Sequence, residues 1–290
     1  MTLNSTTSQV QAVTPELRAW IVAQAQAGCT PEAVLASMRA SGWQEAVAVQ
    51  ALEETVRGHL VDHAKANGLP VPVMVPEPLS LDGNSVLNAG DREVHVLTHM
   101  MLPRVVVFGG LLAHEECDEL MALAAVRLAR SETVQTDTGG SEVNEARTSE
   151  GMFFGREENA LCARIEARIA ALLNWPLVNG EGLQVLRYRP GAEYKPHYDY
   201  FDPAHSGTAS ILKRGGQRVG SLVMYLNTPD RGGCTTFPDV KLEVAPIKGN
   251  AVFFSYDRPH PMTKTLHGGA PVLAGEKWVA TKWLREGRFD

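Results

Sequence analysis

The sequence lacks the features that mark several large classes of protein. Its four cysteines lie far apart, so no pair has the short spacing of a zinc site. A chain of 290 residues also has no need of disulfide bonds to compensate for a small core. The formal net charge of −6 argues against nucleic acid as a partner, since binding phosphates requires a basic surface.

Long hydrophobic runs are also absent. The most apolar stretch, residues 105–113, is far shorter than the ~20 residues that a membrane-spanning helix needs. The first ten residues, MTLNSTTSQV, lack the basic and apolar regions of a signal peptide. We therefore expect a cytoplasmic protein with reduced cysteines and without a membrane partner.

Helix signals dominate the first 70 residues. Thr14-Pro15-Glu16 and Thr30-Pro31-Glu32 each place a capping threonine before a proline at the first helical position. A third helix is predicted from about residue 44 to 66, so residues 1–70 form an N-terminal helical region, compatible with a three-helix bundle. Such a bundle suits either docking of a protein partner or packing against the main domain. Prolines then mark a linker or an extended arm over residues 71–91.

The rest of the chain, residues 92–290, reads as helices followed by strands. Helices are predicted near residues 113–130 and 157–173, and apolar strands follow at 183–189, 219–227, 251–256 and 278–284. Helices first and antiparallel strands later favour the α+β class, either as a sheet sandwich or as a double-stranded β-helix (jelly-roll) core, with supporting helices on one side.

A metal site is indicated by His197 and Asp199. Residues two apart on a strand point to the same face, so these two side chains can bind one ion. His267 is the natural candidate for a third ligand. Two histidines and one carboxylate, with other positions open, form the facial triad of non-heme iron(II) oxygenases. Taken alone, a His-x-Asp triplet is more often a surface or capping feature.

Lys277 supplies the context that the triplet lacks. It lies ten residues after His267 and opens an apolar strand, where a buried ammonium group is costly unless it is paired. A dicarboxylate co-substrate would pair it.

The sequence resembles the prolyl 4-hydroxylase family in order, spacing and flanking residues over about residues 95–287. The segments that carry the resemblance are EGLQVLRYRPGAEYKPHYDYFD, GGQRVGSLVMYLN, GGCTTFP and TLHGGAPVLAGEKWVATKWL. The resemblance implies that residues 92–290 form an oxygenase domain that uses iron(II), 2-oxoglutarate and O₂, with ascorbate as reductant. It also implies hydroxylation of an unactivated carbon, C4 of a prolyl residue in a peptide or protein.

The resemblance assigns roles to individual residues. The iron ligands implied are His197, Asp199 and His267. The residues implied for 2-oxoglutarate are Tyr188, Thr235 and Lys277. The residues implied for the peptide are Arg218 and Trp283, with weaker matches at Tyr194 and Glu181. Ordinary core packing is the alternative for the two aromatic residues, and a surface cation in a turn is the alternative for Arg218.

Strand parity supports part of this assignment. Lys277, Trp283 and Arg285 share one face of the last strand, so Trp283 should face inward with the lysine. One departure concerns Arg285, where collagen-type members of the family carry a histidine. Arg285 in place of this histidine weakens the case for a collagen-like substrate. It also weakens the expectation that substrate binding is coupled to co-substrate turnover in the same way as in the collagen-type members.

Several alternatives remain open at the level of sequence. The same chemistry could act on a free amino acid or small metabolite. A metal-dependent jelly roll without 2-oxoglutarate, or a non-catalytic interaction protein that uses the N-terminal helices, would also fit parts of the pattern. Two polar loops, residues 135–146 and 203–216, suit either lids over a site or exposed hairpin connections.

Overall fold

The computed structural model describes residues 11–78, 83–130, 133–134, 141–142 and 148–290. The chain divides into two compact units, Met1–Pro72 and Val73–Asp290. Of the helices that the structure describes, none combines the length and apolar character needed to cross a membrane.

The described residues of the first unit, 11–72, form three helices. They are α1 (Pro15–Gln26), α2 (Pro31–Ala40) and α3 (Glu45–Ala66). Thr14 and Thr30 cap α1 and α2, because each hydroxyl accepts a hydrogen bond from a backbone N–H three residues later. The helices pack around a small apolar core formed by Ile21, Val34, Met38, Ala48, Ala51 and Leu52.

The described residues of the second unit form three further α-helices and seventeen strands. The helices are α4 (His114–Ala125), α5 (Ala160–Leu173) and α6 (Thr208–Ile211). The first strands are β1 (Val86–Asn88), β2 (Glu93–Met100), β3 (Arg104–Gly109), β4 (Ala129–Arg130), β5 (Thr133–Val134), β6 (Ser141–Glu142), β7 (Glu150–Phe153) and β8 (Gln184–Tyr188). The others are β9 (Tyr194–His197), β10 (Arg218–Tyr225), β11 (Arg231–Gly232), β12 (Thr235–Phe237), β13 (Leu242–Val244), β14 (Ala251–Ser255), β15 (His267–Gly269), β16 (Val272–Ala274) and β17 (Lys277–Arg285).

Two antiparallel sheets make the framework. The main sheet has nine strands in the order β1-β2-β3-β14-β10-β17-β8-β7-β4, and the smaller sheet has the order β13-β12-β15-β9. One apolar cluster contains residues from both sheets, such as Val279 and Phe254 from the main sheet and Phe237 from the smaller one. A second cluster joins the other face of the main sheet to α4 and α5. This arrangement confirms the predicted α+β class with a jelly-roll core and supporting helices.

The division into residues 1–70, 71–91 and 92–290 remains a prediction, and its middle segment differs in part from a free linker. Val86–Asn88 pairs with β2 as the edge strand of the main sheet. The backbone N–H of Val73 also donates to the carbonyl of Asp257, and Val75 is buried. Proline density predicted an extended backbone there, but it gave no sign of these sheet contacts.

Candidate active site

The two histidines of the candidate site are cross-strand neighbours. In the smaller sheet β15 pairs with β9 so that His267 lies directly opposite His197. Their rings stand 4.4 Å apart, centroid to centroid. Asp199 lies just beyond the end of β9 rather than within the strand, yet its carboxylate reaches both histidines. The structure therefore brings together the three residues that the sequence predicted as metal ligands.

Backbone carbonyl groups orient both imidazole rings. Nδ1 of His197 lies 2.9 Å from the carbonyl oxygen of Lys195, and Nδ1 of His267 lies 2.9 Å from that of Thr265. Because a carbonyl oxygen only accepts hydrogen bonds, each Nδ1 carries the proton and each Nε2 keeps its lone pair. Burial and the neighbouring His267 also lower the pKa of His197, which favours the neutral form that binds metals.

The carboxylate of Asp199 lies between the two Nε2 atoms. Oδ1 is 3.5 Å from Nε2 of His197, and Oδ2 is 3.5 Å from Nε2 of His267. Burial alone would raise the pKa of Asp199, but the two imidazoles hold this pKa well below its ordinary value. The carboxylate is therefore ionised, as a metal ligand must be.

A serine and a tyrosine that the sequence analysis did not single out position this carboxylate. Ser221 Oγ donates to Asp199 Oδ2 at 2.6 Å, and the Tyr256 hydroxyl lies 3.0 Å from Ser221 Oγ. Both side chains are buried. Hydrogen bonds of this kind fix the orientation of a ligating carboxylate and strengthen metal binding.

The donor set fits iron(II). Ligand atoms of His197, Asp199 and His267 all lie within 4.8 Å of one another, so one ion can contact all three. Two neutral imidazole nitrogens and one carboxylate oxygen on one side leave the remaining positions to a co-substrate and O₂. The rings of Phe237 and Phe254 lie against His267 and shield the inner side of the site from water.

Lys277 lies in the same pocket as the three ligands. The pocket is lined by His197, Asp199, His267, Lys277, Thr235 and Trp283, among others. The lysine is only 4% exposed, and burial lowers its pKa to about 8. Within the described part of the chain, no carboxylate lies within ion-pair distance of its Nζ atom. A buried ammonium group without a counter-ion is unfavourable, so the pocket is suited to an anionic ligand.

Polar and aromatic groups surround the lysine. Tyr188 is its cross-strand neighbour, and Nζ lies 5.5 Å from the centre of that ring. The hydroxyl of Tyr225 donates to Thr235 Oγ1 at 2.8 Å. Gly233 has a positive φ of 75°, and a Cβ atom there would come 3.1 Å from Lys277 Cδ. The backbone therefore approaches the lysine as closely as glycine allows.

Of the residues predicted for the peptide, Trp283 lines the pocket six residues further along β17 than Lys277, and Arg218 and Glu181 lie next to Trp283. Arg218 donates to both oxygens of Glu181, at 2.7 and 3.0 Å, and its guanidinium lies 3.9 Å from the Trp283 ring centre. Arg218 is thus a half-buried, paired residue rather than a surface cation. Tyr194 lines the pocket and stacks on His197 with ring centroids 3.7 Å apart.

Trp283 faces inward, as strand parity predicted, and its ring nitrogen lacks a partner. It lines the pocket, whereas the neighbouring Leu284 belongs to the cluster on the opposite face. Nε1 of Trp283 is buried and has no hydrogen-bond partner among the described residues. An indole N–H only donates, so the site offers a hydrogen bond to an acceptor from outside the chain.

The two predicted loops differ in what the structure shows. Residues 135–146 lie outside the described residues, apart from Ser141–Glu142, which pairs with Thr133–Val134. Residues 203–216 contain the short helix α6, and their end contacts the C-terminal residues through the hydrogen bond from Gly287 N to Gly215 O.

Comparison with known proteins gives consistent matches. The family model of the 2OG-Fe(II) oxygenase superfamily matches residues 183–285. Prolyl 4-hydroxylase 5 of Arabidopsis thaliana is 38% identical over 221 residues, which cover 69% of this chain and 74% of that protein. Prolyl 4-hydroxylase 1 of the same plant is 41% identical over 202 residues, covering 63% of this chain and 69% of that protein.

Solved structures with related folds were also found. The viral collagen prolyl hydroxylase of Paramecium bursaria Chlorella virus-1, in a 2OG complex, has a TM-score of 0.48 and 30% identity, covering 62% of this chain and 95% of that one. A prolyl-4-hydroxylase from Pseudomonas putida has a TM-score of 0.46 and 24% identity, covering 62% of this chain and 92% of that one.

Proposed function

The chain belongs to the prolyl 4-hydroxylase family of iron(II)- and 2-oxoglutarate-dependent oxygenases, and from that premise we propose that it hydroxylates C4 of a prolyl residue in a peptide or protein. One observation carries the proposal. The His197–Asp199–His267 group, in which Asp199 and His267 are buried, shares its pocket with Lys277, whose charge has no carboxylate partner in the described chain.

Each of these residues has a defined task in the proposed reaction. The two Nε2 atoms and the Asp199 carboxylate would hold iron(II), which with 2-oxoglutarate supplies the activation of O₂, giving succinate and CO₂ as co-products. Lys277 would pair with the far carboxylate of 2-oxoglutarate by a charge-assisted hydrogen bond. Tyr188 and Thr235 would pack and hydrogen-bond around that carboxylate, since both lie beside the lysine.

The opposite end of the pocket would receive the peptide. The N–H of Trp283 would donate to a peptide carbonyl oxygen, which would satisfy the buried donor. Arg218, stacked on the same ring, would lie beside that carbonyl, and Tyr194 would pack against the prolyl ring. A free amino acid would fill less of the pocket beside Trp283 than a peptide would. A non-catalytic interaction protein would need neither the metal ligands nor a buried lysine without a counter-ion.

The test measures succinate and product together. The protein with iron(II), 2-oxoglutarate and ascorbate is offered proline-containing peptides, free proline and other amino acids. We expect succinate release to rise with a peptide, and mass spectrometry to find one added oxygen atom on a prolyl residue. Stimulation by a free amino acid alone would overturn the peptide assignment.

A ligand variant supplies the control. His197→Ala removes one of the three ligand atoms and should abolish stoichiometric iron binding, measured by metal analysis after dialysis. Full iron retention in this variant would contradict the proposed triad.

The remaining expectations belong to the same proposal. We propose that the protein acts in the cytoplasm, that ascorbate serves as its reductant, and that the N-terminal helices bind a protein partner. The helices have their own apolar core, and deleting residues 1–70 should therefore leave 2-oxoglutarate turnover intact. Loss of turnover in a folded deletion variant would show that these helices support the oxygenase domain.

A further inference from the structure

Arg285 is a buried charge at the substrate end of the pocket. It closes the inward face of β17, two residues beyond Trp283, and is 4% exposed. Its Nε donates to Glu181 Oε1 at 2.7 Å, and its Nη1 donates to the carbonyl oxygen of Gly216 at 2.7 Å. The planar guanidinium can make both contacts at once because its donors are fixed in a fork.

Glu181 is shared between two arginines. Its Oε1 accepts from Nε of Arg285 and from Nε of Arg218, both at 2.7 Å, while Oε2 accepts from Arg218 Nη2 at 3.0 Å. The two guanidiniums hold the pKa of Glu181 below its ordinary value against the opposing effect of burial. The position of Arg218, stacked on Trp283, therefore depends on a carboxylate that Arg285 fixes from the other side.

The same guanidinium is packed between two aromatic rings from distant parts of the chain. The Phe201 ring centre lies 5.0 Å from Arg285 Cζ, and the Phe289 ring centre lies 5.1 Å from it. Phe201 follows the metal segment closely, and the amide of Gln217 bonds to its backbone N–H and carbonyl at 2.7 and 2.8 Å. Phe289 belongs to the C-terminal residues.

The C-terminal residues and the loop that ends at Gly216 are joined directly. Gly287 N donates to Gly215 O at 2.8 Å. Arg214 lies 4.3 Å from the Phe289 ring centre, and its Nε donates to the carbonyl oxygen of Asp290 at 2.5 Å. Phe289 N donates to the carbonyl oxygen of Val178 at 3.0 Å. Residues 286–290, which we call the tail, therefore cover the end of the 203–216 loop.

We infer that Arg285 is a positioning residue that couples the tail and the 203–216 loop to the Glu181–Arg218 pair, and thereby sets the affinity for the peptide. The inference rests on the proposed function and deepens it, since it names a determinant of peptide binding. Among the described contacts, Arg285 reaches the metal ligands only indirectly, through Glu181 and Arg218, whose Nη1 lies 3.5 Å from the backbone carbonyl oxygen of Asp199.

The first test replaces Arg285 by Gln and separates binding from chemistry. The KM for the peptide should rise at least about tenfold, which is within the range of a lost coupling between two sites. Iron(II) content, 2-oxoglutarate affinity and succinate release without peptide should stay at the native level. The ratio of hydroxylated peptide to succinate should fall, because a loosely held Arg218 positions the prolyl residue less accurately.

A matched control and a second variant keep this test decisive. Arg164→Gln also removes an arginine paired with a glutamate, Glu116, but lies on helix α5 and should leave every constant unchanged. Phe289→Ala leaves Arg285 in place and removes the tail ring that packs against it. This variant should also raise the KM for the peptide. If the tail acts through Arg285, the double variant Arg285→Gln/Phe289→Ala will be no worse than Arg285→Gln alone.

Hydrogen exchange gives a readout that needs no peptide. Residues 203–217 should exchange faster in Arg285→Gln and in Phe289→Ala, and at the native rate in Arg164→Gln.

A native KM for the peptide in Arg285→Gln, or a change confined to thermal stability, would overturn the inference and leave the proposed function standing. A native protein that hydroxylates no prolyl peptide would instead remove the proposed function, while the exchange result would still report on the coupling.

Discussion

Two buried lysines on the same strand behave in opposite ways. Lys277 and Lys282 both lie on β17, 4% and 2% exposed, but an odd separation of five residues places them on opposite faces. Lys282 forms an ion pair with the buried Glu166 of α5. Lys277 points into the pocket, where the described residues offer no carboxylate within ion-pair distance.

The difference separates a charge that serves the fold from one that serves a ligand. Burial lowers the pKa of both lysines, and in Lys282 the carboxylate of Glu166 opposes that effect. The protein itself therefore supplies the carboxylate that pairs with Lys282. An anionic ligand would have to supply the carboxylate that pairs with Lys277. Of the two lysines, only Lys282 links the main sheet to helix α5, through its ion pair with Glu166. This link helps to hold β17, and with it Lys277, in place.

The largest expected effect is on the fold, at Lys282. Lys282→Met leaves Glu166 as a buried carboxylate without its cation, and removing one partner of a buried pair costs about 3–5 kcal/mol of folding free energy. Chemical denaturation should show this loss. A variant as stable as the native protein would mean that the pair contributes nothing, and the contrast between the lysines would fail.

The next effect is on co-substrate binding, at Lys277. Lys277→Met should weaken 2-oxoglutarate binding by roughly 2–5 kcal/mol, since one partner of a desolvated charge pair is lost. Calorimetric titration in the presence of manganese(II) measures this affinity without turnover. The unfolding free energy should not fall, because the variant removes an uncompensated buried charge. Unchanged affinity would assign Lys277 a structural role.

A smaller effect should appear with pH. Burial lowers the pKa of Lys277 to about 8, so the ammonium proposed to pair with 2-oxoglutarate is present below pH 8 and is lost as the pH rises above it. The dissociation constant for 2-oxoglutarate should be flat below pH 8 and then rise, approaching about tenfold per pH unit. Lys277→Arg keeps its charge in this range and should remove the slope. A slope that persists in this variant would point to another group.

The smallest effect should come from replacing the whole structural pair. The double variant Glu166→Leu/Lys282→Met exchanges an ion pair for apolar contacts, which is often close to neutral in stability. Its unfolding free energy should lie within about 1 kcal/mol of the native value. Its affinity for 2-oxoglutarate should equal that of the native protein. That result would show that Lys282 contributes to the fold and not to co-substrate binding. A large loss would show that the pair has a further role.

Much of the candidate site could be predicted because its signals are local. His197 and Asp199 are two residues apart, which predicted one shared site even though Asp199 lies just beyond the end of β9, and Lys277 opens an apolar strand, where a buried ammonium group needs a partner. Ser221 was missed, although a polar residue on the inward face of an apolar strand is a usable signal. Tyr256 could not be found, because its contact with Ser221 depends on how β14 pairs with β10.

Long helices and strands were predicted from the sequence more successfully than short ones. The longer helices and the apolar strands of the main sheet were predicted because periodicity needs several residues to show. Of the smaller sheet only the segment around His197 was treated as a strand, since its strands have three or four residues, and the edge formed by β1, β2 and β3 was missed. In β2 most side chains are exposed, which leaves little apolar alternation to read.

The pairing of β15 with β9 makes the metal site depend on contacts between distant parts of the chain. His197 and His267 come from strands that are far apart along the chain and meet only when the smaller sheet closes. A partly folded chain, or one with these strands shifted by a residue, would present two isolated imidazoles. Tight binding of iron by both histidines therefore requires a chain in which the smaller sheet has already formed in its native register.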